Sequence, residues 1–545
     1  MERREIERLL ARFEGMRKDR APYESVWREL ADYYLPRKAG QFSGGTSAGA
    51  GDERIFDSTP FFALDRMAGW LSGLLTNPNQ IWIGVRARDP QRGRDAQVRS
   101  ALAKIPEVML RIFRDEQTGF QAAVDELYLD NPLFGTGVFY VEADPRTVAR
   151  FTTRPLSETF VAENRHGMVD TVFRDFEFPA ADVVAQWPET CSRQVRELAE
   201  REPRTGVGLL HLVMPREDRR PGGLGSADMP VASVYLEKET KTALEETGYH
   251  ELPFMVPRWA KAVGETYGRG PGLAALSDVR VLNAMARTAL LAGEKMADPP
   301  LMVPDDDFVG PVQSGPGGLS YYRAGTQDRI EALPVAVDLR AVELMLEQRR
   351  GSIRRIFLVD EFDAGQAPTK TAYQVMVEDG RKMTAMAPVL GRFQSEFLGP
   401  LIRRVFRLAL RQGAIPPLPD GMDIGDVEVF YTSPLAQAQR QAAARGLAQA
   451  LELLAPLIGQ EDPFGILDNF DMDRTARVVF DVVGVPPEAL RSEADVARLR
   501  EDRDRQRAAS EGLNEAERAV DMASKAARAD TGSRNLLTDM LGGGA

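Results

Sequence analysis

The sequence predicts an α+β protein rich in helix, and three observations carry that reading. Period-two hydrophobic alternation is concentrated between residues 137 and 259, and segments with helical spacing lie on both sides of it. Two long helical segments also flank a turn-rich excursion between residues 269 and 358. At 545 residues, 43% hydrophobic and 28% charged, the chain has room for two to four domains and a sizeable core.

In order, residues 3–34 place Ile6, Leu10, Phe13, Tyr23, Trp27 and Leu30 at helical spacing, with an interruption expected at Pro22 and an end at Leu35-Pro36. Residues 40–51, rich in glycine, serine and alanine, read as a loop. Ser58 or Thr59 is the expected N-cap of a core helix with Pro60 in its first turn, carrying Leu64, Met67, Leu71 and Leu75 and closed by Asn77-Pro78-Asn79. A strand at 81–85, one charged helix at 95–116 and another helix at 119–130 follow. Residues 138–142, 148–152, 160–164 and 169–178 read as strands, with a turn at 164–167. A helical patch at 180–201 precedes further strands at 208–214, 231–237 and 254–259.

The next stretch organises the chain. After Gly268, Gly270 and Gly272, with Pro271 suited to a first helical turn, apolar residues recur from Leu273 to Leu290 until Pro299-Pro300 ends the pattern. About 26 residues at roughly 1.5 Å each make a rod of about 39 Å, and a second rod of about 33 Å runs from Val337 to Leu358. Between them, residues 301–336 hold Asp305, Asp306 and Asp307, the Gly315-Pro316-Gly317-Gly318 turn cluster and β-like runs at 319–323 and 329–333. A lone projecting hairpin would leave partly apolar flanks wet, so copies of the same chain are expected to cover them, as in a ring.

Beyond the hairpin, residues 360–368 form a loop with Asp360, Glu361 and Asp363. A long helical stretch, 369–412, contains Pro388 and Pro400, each expected to kink or break it. Residues 427–431 read as a strand returning to the α+β region. From Pro434 onward the chain reads as helical, and its charged tail carries a thin alanine stripe at 516, 519, 523, 526 and 527.

Catalytic chemistry finds little support. His166, His211 and His250 show no ligand spacing, and Cys191 has no histidine near it in sequence. Residues 365–371 fail as a phosphate loop because Thr369 precedes Lys370 where glycine is required. The aspartates at 305–307 are consecutive rather than alternate, which suits a solvated tip or docking surface better than calcium. Gly135-Thr136-Gly137 and Gly268-Arg269-Gly270 lack the rest of a dinucleotide fingerprint and read as turns. We therefore expect no cofactor, no metal and no enzymatic activity.

The single cysteine excludes an internal disulfide framework and suits a reducing compartment. No apolar run reaches the roughly 18 residues of a membrane span, and Met1-Glu2-Arg3-Arg4-Glu5 lacks a signal-peptide apolar region, so assembly in cytoplasm is expected. A net charge of −12 argues against a protein whose main work is to grip nucleic-acid backbone. It suits either a wall past which DNA slides without sticking or ordinary solubility.

Five segments, in order, resemble one family. Trp27 with Tyr34-Leu35-Pro36, Ile55-Phe56-Asp57-Ser58-Thr59, and Leu74-Leu75-Thr76-Asn77-Pro78 with Trp82 resemble the opening of portal, or head-to-tail connector, proteins of short-tailed T7-like phages. Phe134-Gly135-Thr136-Gly137-Val138 and Tyr267-Gly268-Arg269-Gly270-Pro271 resemble later signatures of that family, and coverage runs from about residue 20 to about residue 430.

The resemblance implies a ring, usually of twelve copies, at one capsid vertex of the virion. Double-stranded DNA would enter and leave through it, with capsid and scaffolding proteins around it, and terminase and later tail or adaptor proteins docked on it. Carried onto this chain, residues 1–268 would be the wing, 269–300 and 337–358 the stem, and 301–336 the clip. Residues 359–432 would be the tunnel loop, kinked wing helix and return strand, and 433–545 the crown and tail. Asp305, Asp306, Asp307, Tyr321, Tyr322 and Arg323 are the candidate clip docking surface. The candidate channel residues are Lys295, Arg349, Arg350, Arg354 and Arg355 on the stem, with Asp360, Glu361, Asp363 and Lys370 at the tunnel loop. A ring would repeat each cation around the lumen to touch phosphates weakly. The stem arginines have an alternative use, pairing with Glu343 or Glu347 one turn away. A packaging enzyme and a helical scaffold or adaptor that encloses no DNA are the competing classes.

Overall fold

The computed structural model describes residues 3–42, 55–219, 223, 225–302, 331–332, 338–360, 386–418, 421–432 and 493–528, with isolated positions between 446 and 491. The chain divides into two compact units, Met1–Arg88 with Lys104–Gln439 and Asp89–Ala103 with Arg440–Ala545. The smaller unit contains α3 (Ala96–Ala103) and the 36-residue α11 (Glu493–Arg528), where Arg500 pairs with Asp473 at 2.6 Å.

The larger unit opens with α1 (Arg3–Tyr34), which runs without a break through Pro22. Tertiary contacts two residues earlier fasten the helix there. Arg20 donates to the Leu156 and Thr159 carbonyls at 3.0 and 2.8 Å and lies over the Phe160 ring. Next come α2 (Thr59–Leu75) and β1 (Ile83–Ala87). The single helix expected at 95–116 is instead two, because Pro106 enforces a restart at α4 (Ile105–Arg114). Then α5 (Phe120–Phe134) holds Pro132 in its last turn and ends at Gly135, whose φ of 78° requires glycine.

The strands follow as β2 (Phe139–Asp144), β3 (Val148–Thr153), β4 (Thr159–Glu163) and β5 (Val169–Pro179), then helices α6 (Ala180–Gln186) and α7 (Arg193–Arg201), then β6 (Gly206–Pro215), β7 (Val231–Glu237), β8 (Ala243–Tyr249) and β9 (Phe254–Met255). An antiparallel five-stranded sheet has the order β4-β5-β6-β7-β8, and a smaller sheet the order β3-β2-β9. Strand β8 was not expected from sequence. The helical patch at 180–201 is likewise two helices, with Cys191 between them.

Both faces of the large sheet are covered. Ile6, Leu9, Phe13 and Met16 of α1 pack on Phe173, Leu210, Leu212 and Leu236, while Val183, Trp187 and Val195 pack with Leu209 and Leu244. An aromatic core beside the small sheet joins Trp82, Phe113, Phe120, Phe139 and Phe151, with Phe397 of the later long helix 5.1 Å from Phe139.

Two hairpin helices, α8 (Pro271–Ala297) and α9 (Leu339–Ile356), pack on each other, joined by a short ladder of β10 (Leu301–Met302) and β11 (Glu331–Ala332). The later long helix is described from residue 386. Pro400 does not break it: the helix widens into a π-turn at Phe393–Leu398 and resumes as α10 (Gly399–Arg411). Finally β12 (Val427–Tyr431) returns and pairs antiparallel with β1, from Ile83 opposite Tyr431 to Ala87 opposite Val427.

Candidate functional site

The hairpin is built by local signals. Gly270, extended at φ −101° and ψ 173°, precedes Pro271 at the first turn of α8. Asp338 caps α9, its carboxylate accepting the Arg340 and Ala341 N–H groups at 3.0 and 3.3 Å. Ala275, Leu276, Val279, Leu282 and Ala286 are buried on α8, against Leu346 and Ile353 on α9. Phe357 anchors the end of α9 under Tyr34, whose hydroxyl donates to the Gly272 carbonyl at 3.2 Å.

The hairpin cations divide into two groups. Asp278 accepts from Arg349 at 2.8 Å and from Ser352 at 2.7 Å, tying α8 to α9. Arg350 reaches the buried Asp57 at 2.9 Å and also Glu343 and Glu347 at 3.1 and 3.4 Å. Arg354 donates to Glu347 at 2.5 Å and lies 3.7 Å from Asp360. That hydrogen bond holds the Glu347 carboxyl below its ordinary range. By contrast, among the described residues the Arg355 side chain bonds only to the Gly351 carbonyl of its own helix, Lys295 is exposed, and neither has an acid partner. Asp305, Asp306, Asp307, Tyr321, Tyr322, Arg323, Glu361, Asp363 and Lys370 lie outside the described residues.

A second feature of the hairpin is wet apolar surface. Val281, Leu290, Leu291 and Met296 on α8 and Leu344 and Met345 on α9 are between 42% and 64% exposed. Five of these six, all but Val281, lie in the half of the hairpin nearer its tip.

The two glycine segments that read as separate turns meet each other. A Cβ on Gly135 would collide with the Gly268 carbonyl, one on Gly268 with the Gly135 carbonyl, and one on Gly272 would lie 2.7 Å from the Leu133 oxygen. Thr136 Oγ1 accepts the Gly268 N–H at 2.7 Å, and Trp259 N–H donates to the Gly135 carbonyl at 2.9 Å. Tyr267 closes this seam: Trp27 lies 5.1 Å from its ring, and burial pushes its phenol up to about 12.

Sequence reasoning missed the charged lock beside the seam. Arg258, 1% exposed, pairs with Glu163 and with Glu396, the latter at 2.7 Å, and donates to the Gly167 carbonyl at 3.0 Å. Lys261 shares Glu163 at 2.6 Å. Burial opposes the charge on Arg258, but the two carboxylates outweigh it and keep the guanidinium firmly protonated. The π-turn carries Glu396, so the long helix is fastened to the seam through this residue. The partners are separated by 95 and 138 positions, and no local pattern announces them.

His211 is buried and stacked on Tyr235 at 4.0 Å, and burial with nearby Arg174 and Arg154 pushes its pKa down to about 3. Cys191 Sγ accepts from Arg196 at 3.3 Å. Among the described residues no group of three or more His, Cys, Asp or Glu side chains is placed to hold a metal, and no helix is long and apolar enough to cross a membrane.

Residues 7–490 match the family described as bacteriophage head to tail connecting protein. The chain is 31% identical over 552 residues to the "probable portal protein" of Bordetella phage BPP-1, covering 99% of this chain and 98% of that one. It is 26% identical over 554 residues to the "portal protein" of Salmonella phage epsilon15, covering 98% and 97%.

Proposed function

The chain belongs to the bacteriophage head-to-tail connecting protein family, and from that membership we propose how it works as a portal. Twelve copies close into a ring around a channel for double-stranded DNA, with the helical hairpins as the stem and residues 301–336 as the clip. Terminase docks on the clip during packaging and tail or adaptor proteins dock there afterwards. Capsid and scaffolding proteins surround the ring during its assembly in the host. The family is a structural connector at the junction of head and tail.

One observation carries the ring reading: the hairpin exposes six large apolar side chains, five of them in its far half, that the described residues leave largely uncovered. Monomeric proteins rarely leave such a surface in water, and a heterologous contact between neighbouring copies covers it in a closed ring. The channel role rests on charge. Among the described residues Arg355 and Lys295 have no acid partner, whereas Arg349, Arg350 and Arg354 are held by acids, so the first two are the better phosphate contacts and the other three stiffen the stem. Electron microscopy of the purified protein tests this: end-on rings with a central hole support it. Failure to form rings even with capsid and scaffold partners would favour a scaffold or adaptor that encloses no DNA.

A further inference from the structure

The sheet formed by β1 and β12 has two strands, so β12 has a second edge. Arg88 N–H donates to the Asp426 carbonyl at 2.7 Å and Thr432 N–H to the Trp82 carbonyl at 2.8 Å, which sets the alternation of the ladder. Residues 428 and 430 therefore bond toward β1, and the backbone groups of Val427, Val429 and Tyr431 point away from it. The Val427 N–H is used by the Ile424 carbonyl. The outward N–H and C=O of Val429 and Tyr431 have no hydrogen bond among the described residues.

That edge lines one side of a groove of about 640 Å3 whose other side is the long helix, with Gln394, Ser395, Arg403, Phe406 and Arg407 facing in. Arg403 has no acid partner among the described residues. Its guanidinium lies over Gly399, where a Cβ would stand 3.5 and 3.7 Å from its terminal nitrogens. Burial and the neighbouring Arg407 both press its pKa downward, the mark of a cation short of an anion. Among the described acids Arg407 reaches only Glu251, at 3.4 Å, and Glu428, the one acid among the lining residues, is occupied by Arg86 at 2.8 Å. The buried Tyr431 hydroxyl, in the same lining, has no hydrogen-bond partner among the described residues.

We propose that this groove is a peptide-docking site: an extended acidic segment of a partner protein adds to β12 as a third strand, its carboxylates held by Arg403 and Arg407. Unpaired strand edges are templates for such addition, and five residues give a footprint of about 17 Å. The apolar share of the lining, from Phe406, Ile424, Val427 and Val429, favours alternating side chains over a phosphodiester backbone. The proposal concerns a surface apart from the hairpin and does not depend on the ring reading.

The test uses the full-length protein and a fluorescent peptide of about six residues alternating valine with glutamate. Its lysine counterpart and a short oligothymidylate serve as comparisons. The glutamate peptide binds and slows amide exchange at Val429. Arg403→Glu weakens it by about tenfold or more and lets the lysine peptide bind. Val429→Pro, which removes an outward N–H and spares the β1 ladder, abolishes binding; Arg403→Glu decides the matter if the proline variant does not fold. Equal binding of the two peptides overturns the proposal, as does stronger competition by the oligothymidylate. A Val429 amide already protected before peptide is added overturns it too, because the edge is then taken by a second copy of the chain.

Discussion

Gly135 and Gly268 touch backbone to backbone, each placed so that a side chain on one would strike the carbonyl of the other. The relationship joins residues that are far apart in sequence and sets the angle at which α8 leaves the β region.

Gly268→Ala should therefore destabilise the protein by about 1–3 kcal/mol, the usual cost of overpacking against atoms that cannot retreat. Gly15→Ala is the control: Gly15 lies within α1 with nothing within 4 Å of an added Cβ, so alanine there should stabilise by up to about 1 kcal/mol. Chemical denaturation of both variants checks the pair, and equal effects would remove the seam from the argument.

Glu396→Gln leaves Arg258 buried with only Glu163 as a counter-charge. Losing one partner of a buried ionic network should cost about 3 kcal/mol. Because Glu396 sits on the π-turn, the loss should appear first as faster amide exchange along residues 393–411 and only then as global unfolding.

Acid should weaken the fold through His211. Its folded pKa is about 3 against an ordinary 6.5, so between these values the unfolded chain binds a proton that the folded chain refuses. Stability therefore rises with pH across that window and is lost as pH falls through it, by up to about 1.4 kcal/mol per unit. His211→Gln should flatten this part of the profile; an unchanged slope between pH 4 and 6 would remove His211 from it.

Arg355→Glu and Lys370→Glu should impair DNA retention while rings still form, and Asp278→Ala, which frees Arg349 and Ser352, should loosen the hairpin and assembly together. Packaged DNA retained after capsid purification, read beside ring counts, separates the two. Equal loss of retention and assembly in the first pair would exclude a channel role for those cations.

Leu344→Ser and Leu290→Ser should leave the melting of the isolated chain within about 0.5 kcal/mol of the parent, since both side chains are already wet. Sedimentation should show assembly weakened. Unchanged assembly would mean that this apolar surface is not between copies.

The sequence made the hairpin legible because punctuation is local: Pro271 and Pro299-Pro300 bracket α8, and the helical spacing from Val337 to Leu358 contains α9, although its Asp338 cap was not singled out. The strands of the large sheet were legible where apolar residues cluster in short runs, such as Val172-Phe173, Leu209-Leu210 and Val234-Tyr235-Leu236, bounded by turn-forming or polar residues. Strand β8 was not, because Glu245, Glu246 and Thr247 supply too few apolar residues to mark a period. Pro22 misled in the opposite direction, since tertiary bonds from Arg20 outweigh what proline removes locally. The stem cations were found as a group, but which of them are free depends on Asp57 and Asp278, and distance in sequence hides such partners.

The two-residue ladder of Leu301–Met302 with Glu331–Ala332 brings the chain back to the place from which it left. Closing a longer or shorter segment between fixed ends changes the entropy only logarithmically with length. A segment exchanged between Met302 and Glu331 would therefore cost little whatever its length, so the proposed docking clip could be replaced as a cassette while the helices behind it keep their spacing.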